Sequence, residues 1–118
     1  MTFEEIRDLQ ITNIIANASE MKSLVKQCLS IVDSSTAKDD EIVMWINAAV
    51  SDMVRQRIDV AGNITDGLIQ AAIVMYVKGN FGFIDETDKK SEKKLAQENY
   101  KMLITNLSLS TKYLLEEE

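Results

Sequence analysis

Leu68-Ile69-Gln70-Ala71-Ala72-Ile73-Val74-Met75-Tyr76-Val77 decides the fold of this chain, because Gln70 is its only polar residue. A helix that is apolar almost all round is packed between partners, not laid on a surface. The run therefore predicts a central helix over about residues 65–78. Thr65 is expected to be its N-cap, with Asp66 in the first turn. Gly79-Asn80 is expected to stop it, since glycine takes the left-handed conformation just past a helix end at little cost.

Toward the C-terminus, Phe81-Gly82-Phe83-Ile84 forms an apolar loop, and Thr87 or Asp88 caps a long helix over about residues 88–109. Leu95, Ala96, Asn99, Tyr100, Leu103, Ile104 and Leu107 give its inner face. Lys89, Lys90, Lys93, Lys94 and Lys101 give its solvated side. Ser108 to Ser110 end or bend it. Tyr113, Leu114 and Leu115 precede Glu116-Glu117-Glu118, three acids that oppose the helix dipole, so residues 111–118 are expected to fray.

Toward the N-terminus, Arg57 to Asn63 is a connector, with Gly62 and Asn63 suited to left-handed or turn geometry. Asp39, Asp40 and Glu41 open a third helix reaching about Arg57, whose buried stripe is Ile42, Ile46, Ala49, Val50, Met53 and Val54. Val43 and Trp45 lie off that stripe, and Asp52, Arg55 and Gln56 look outward. A second segment, Ser19 to Val32, sets Met21, Leu24, Val25, Cys28, Leu29 and Val32 on one face, with Cys28 a small core residue. Phe3 to Asn17 reads as a helix or two short turns, weakened by Asn13 and Asn17. The whole is an all-α, single-domain bundle of four to five helices spanning residues 1–118, with residues 1–18 as an N-terminal extension.

Composition narrows the function. The chain has 118 residues, of which 46% are hydrophobic and 27% charged, enough for one core. Histidine and proline are absent and Cys28 is the only cysteine. There is no Ser-His or Cys-His nucleophile pair, no four-ligand zinc set and no internal disulfide. The net charge of −6 argues against a main task of gripping nucleic acid through phosphates. No apolar stretch reaches a membrane span, and the acidic start Met1-Thr2-Phe3-Glu4-Glu5 is no signal peptide, so the chain reads as cytoplasmic at synthesis.

Other groupings have plain explanations. Asp39-Asp40-Glu41 reads as a charged helix start, not a metal cluster. Asp85-Glu86-Thr87-Asp88 lacks the sixth-position glycine and twelfth-position glutamate of a calcium loop. Gly79-Asn80-Phe81-Gly82-Phe83 lacks the lysine of a phosphate loop. No catalytic, cofactor-binding or metal-binding set remains. Phe81, Phe83 and Ile84 either fold back on the core or dock on a partner, and Trp45 is core rim or interface anchor.

The order of these signals resembles the small helical head–tail connector (adaptor) proteins of tailed bacteriophages and prophages. The matching pieces are Leu24-Val25 through Cys28-Leu29-Ser30-Ile31, Asp39-Asp40-Glu41-Ile42 into Trp45-Ile46-Asn47-Ala48-Ala49, Leu68 through Val77, Asn80-Phe81-Gly82, and Tyr100 through Ser110 to Tyr113. Each alone is a generic amphipathic helix, and the specificity lies in their order, spacing and closing aromatic. The resemblance implies a ring of about twelve subunits below the portal of a DNA-filled head. It also implies a virion neck location, assembly in the bacterial cytoplasm, and docking to portal and to a downstream neck or tail protein. DNA would pass through a channel without sequence-specific binding. Residues 1–18 depart from the family's pattern and are expected to be an added docking or oligomerisation element. Candidate interface residues are Val43, Trp45, Phe81, Phe83, Ile84, Tyr113, Leu114 and Leu115. Two other readings compete: a helical adaptor or regulator binding one protein partner through a groove, and a nucleic-acid contact through Lys89 to Lys94.

Overall fold

The computed structural model describes residues 2–15, 18–29, 31, 36–81, 87–110 and 113–114, with backbone alone at 13–15, 18–20 and 87–91. The helices are α1 (Phe3–Ile15), α2 (Ala18–Cys28), α3 (Asp39–Arg55), α4 (Gly67–Asn80) and α5 (Thr87–Ser108), with a short 3-10 turn at Ala61–Asn63. The fold is all-α, as the periodicity predicts. No helix among the described residues is long and apolar enough to cross a membrane.

The apolar α4 packs on α5, α3 and α2, and Ile69, Ala72, Ile73 and Val77 are fully buried. Burying each isoleucine or valine of this set contributes roughly 1.5–3 kcal/mol. Its cap is Asp66 instead of Thr65: Asp66 has extended backbone, and its Oδ1 accepts from the Leu68 amide at 2.9 Å. Thr65 sits one residue too early, inside the preceding turn.

Gly79 does not terminate α4. The helix runs through Asn80, and Phe81 caps it with extended backbone, its amide donating to the Val77 carbonyl at 2.8 Å. Gly79 is instead buried against α5, where a Cβ would lie 2.7 Å from Gln97 Cγ. The Gln97 side-chain amide donates to the Gly79 carbonyl at 2.8 Å. The glycine allows close approach of two helices. Gly82, in the apolar loop that follows, lies outside the described residues.

On α3 the six residues of the expected stripe are all buried. The helix ends where Arg57 takes a left-handed φ of 67°. The Ile58 amide donates to the Met53 carbonyl at 3.0 Å and the Arg57 amide to Val54 at 2.9 Å, with Ile58 and Met53 fully buried. This is the Schellman ending, with arginine where glycine is usual. The left-handed residue of the connector is thus Arg57, not Gly62 or Asn63. Gly62 is required for another reason: a Cβ there would collide with the Asp59 carboxylate, whose Oδ1 accepts from the Gly62 amide at 3.0 Å.

Residues Phe3–Ile15 form a single helix that packs on α3. Gln10, buried, donates to Asp59 Oδ1 at 2.9 Å and accepts from the Ala61 amide at 2.6 Å. Phe3 lies beneath the guanidinium groups of Arg7 and Arg55, 5.9 and 5.4 Å from its ring centre.

Several expected faces are rotated. In α2, Met21 and Val25 are buried but Cys28 is exposed, and the helix ends there. Val32 lies outside the described residues. The buried side instead takes in Lys26, 2% exposed, whose Nζ meets Asp39 Oδ1 at 2.9 Å, with Lys22 on Oδ2 at 3.4 Å. In α5 the inward arc runs Lys93, Ala96, Tyr100, Ile104 and Leu107, which leaves Leu95 exposed and Lys93 buried, the reverse of their expected sides. The helix turns this arc to α4 so that Tyr100 reaches α3.

Two measurements test these contacts. Gly79→Ala alone should lower stability by about 1 kcal/mol, because overpacking outweighs the gain in helix propensity. In a Gln97→Ala background the same change should raise it by about 0.5–1 kcal/mol in urea unfolding. The second concerns pH. Hydrogen bonding to Lys26, then to Lys22, holds the Asp39 carboxyl below its ordinary value of 3.8. A depressed folded-state pKa stabilises above the unfolded value and loses that effect as pH falls through the folded one. Thermal midpoints should therefore drop as pH falls below about 4, and Lys26→Gln should flatten that part of the profile.

Candidate functional site

A cleft of about 490 Å³ opens between α3, α4 and α5, lined by residues including Asp52, Gln56, Tyr76, Gln97, Tyr100 and Lys101. Asp52 does not simply look outward, as its α3 position predicts. Its Oδ2 accepts from the Tyr100 hydroxyl at 2.5 Å. Burial pushes the Tyr100 hydroxyl pKa far up, and the bond to charged Asp52 pushes it further. Tyr76 shifts the same way, by burial first and then by Asp52. Tyr100 thus serves as a donor to Asp52.

The rings continue the tie. Tyr76 and Tyr100 meet edge-to-face at 5.0 Å, and Trp45 tilts against Tyr76 at 6.4 Å. Trp45 also donates through Nε1 to Glu41 Oε2 at 3.3 Å. The cleft wall is a brace across three helices. Among the described residues no group of three or more Cys, Asp or Glu is placed to hold a metal. Asp39, in the suspected acidic cluster, is occupied by Lys26 and Lys22. Of the calcium-loop candidate, Asp85 and Glu86 lie outside the described residues.

The expected interface residues fall in different places. Val43 is exposed on α3, beside exposed Met44. Trp45 and Phe81 are half-buried and packed against the core. Phe83, Ile84 and Leu115 lie outside the described residues. Tyr113, a candidate interface residue, is 7% exposed and packs into the subunit's own core. Its hydroxyl donates to Asp66 Oδ2 at 2.9 Å, and its carbonyl accepts from the Asp59 amide at 2.7 Å. The expected fray therefore does not include it. Leu114 is exposed and forms a single antiparallel bridge with Ile58.

Exposed apolar residues also occur where the sequence reading placed none: Leu9 on α1, Leu68 on α4, and Leu95, Met102 and Leu109 along and just past α5. The last three are seven apart, a spacing visible in the sequence but masked by assigning Leu95 to the core.

The brace can be measured. A double-mutant cycle of Tyr100→Phe and Asp52→Ala should return a coupling of about 1.5–3 kcal/mol in urea unfolding, the range of a hydrogen bond to a charged group.

Comparison with known proteins places these surfaces in context. The family model described as "Phage connector protein" matches residues 21–114, from α2 to the Ile58–Leu114 bridge. No curated protein and no solved structure gives a significant match. The matched span covers about four fifths of the chain and leaves out only α1, a few residues beside it and the last residues, so this chain belongs to the phage connector protein family.

Proposed function

We propose that this chain is a head–tail connector subunit of the virion neck, forming a ring below the portal that extends the DNA channel and docks the next neck or tail protein. The family match over residues 21–114 carries this reading. The connector family has a structural, not catalytic, role. Two features support the finer statement. Apolar side chains stay exposed on more than one side of the bundle, with Val43 and Met44 on α3 and Met102 on α5. A subunit that meets neighbours on two different faces can close into a ring. The net charge of −6 suits a wall that repels phosphate and lets DNA slide. Among the described residues of the expected interface set, Val43 and Leu114 are exposed.

Native mass spectrometry over a concentration series, with negative-stain imaging of the heaviest species, tests this. A closed ring of about twelve subunits is the expected result. A monomer at every concentration, alone and with portal protein added, overturns the ring and leaves the single-partner adaptor.

A further inference from the structure

We propose that the outer face of α5 docks on the outer face of α1 of a second copy of this chain; this rests on the ring reading above and assigns its subunit contact. Leu95, Met102 and Leu109 are 58%, 61% and 81% exposed. Leu95 and Met102, seven apart on α5, lie nearly in one row, drifting only about 20° per heptad, and Leu109 follows just past the helix end. The row is opposite the arc that α5 turns to α4, so the bundle itself leaves it uncovered. Large apolar side chains exposed in a row mark an interaction surface.

Charge selects the occupant. On the flank of the row that faces away from Glu92, the exposed charges described on α5 are Lys94, Glu98 and Lys101, a net +1 in a chain whose net charge is −6. Lys94 and Lys101, also seven apart, flank the row, are exposed, and make no ion pair among the described residues. An antiparallel pairing of α5 with its own copy would set this flank, net +1 with Glu98 counted, against itself. The outer face of α1 has the opposite character: Glu4, Glu5 and Asp8 are exposed, and Leu9 is 48% exposed one turn beyond Glu5. Its one cation, Arg7, lies over Phe3 and against Asp8. α1 packs on α3 and α5 on α4, so the two faces belong to different sides of the bundle. Such a pair makes a heterologous contact, which yields a ring when the rotation closes. The apolar row with Leu9 supplies buried area, and the charges set partner and orientation.

Two readouts test the contact. Lys94→Glu with Lys101→Glu should reduce the oligomer about tenfold in native mass spectrometry, and adding Glu4→Lys with Glu5→Lys should restore it. Independently of those charges, Leu9→Cys and Met102→Cys chains, each in a Cys28→Ser background, are mixed and treated with a short bis-maleimide. A heterodimer crosslink formed only in the mixture is the expected result. An oligomer that forms without this crosslink, or that ignores the charge reversal, overturns the assigned contact while the ring stands. A wild-type chain that never oligomerises overturns both.

Discussion

The structure depends on covering α4. A helix with apolar side chains round its whole circumference is stable in water only when neighbours close every side. α2, α3 and α5 cover most of it, leaving Leu68 exposed at its first turn, and their own buried faces follow from that duty. The rotation of α5 is one result. To bring Tyr100 over α4 and onto Asp52 it must turn Leu95 outward and Lys93 inward. The loss of a side chain at position 79 is another, since α5 approaches there too closely for a Cβ.

In this acidic chain some carboxylates serve as internal acceptors. Asp52 takes the Tyr100 hydroxyl, Asp59 takes Gln10 and the Gly62 amide, and Asp66 takes the Leu68 amide and the Tyr113 hydroxyl. Each joins segments distant in sequence or caps a turn. The aromatic line from partly exposed Trp45 and Tyr76 to buried Tyr100 adds apolar contact beside one of them. Such ties stiffen a small bundle while leaving its outer faces available to neighbours.

The helices and the α3 stripe were legible because they depend on local periodicity, and Ile42, Ile46, Ala49, Val50, Met53 and Val54 needed no tertiary information. What periodicity could not settle was decided by partners far along the chain. Cys28 is exposed while Lys26 is buried, its ammonium held by Asp39. Gly79 read as a stop because glycine after a helix usually is one, whereas here its reason sits on Gln97. Arg57 carries the left-handed turn because Ile58 must return to the core beside Met53. Of the surfaces, Val43 was readable as lying off the buried stripe. Tyr113 was misjudged because its partners Asp59 and Asp66 lie about fifty positions away.

That distance has a consequence for how the chain folds. The Tyr113–Asp66 bond spans 47 positions and encloses α4 and α5. Closing so long a loop from a flexible chain costs on the order of 3 kcal/mol in entropy. Once α4 and α5 have formed a hairpin, most of that loop is already ordered, and little free chain remains between Leu109 and Tyr113. The clasp therefore forms late, after the hairpin, and opens first. It records that the bundle is complete instead of seeding it, and amide exchange near Asp59 follows this local opening before global unfolding.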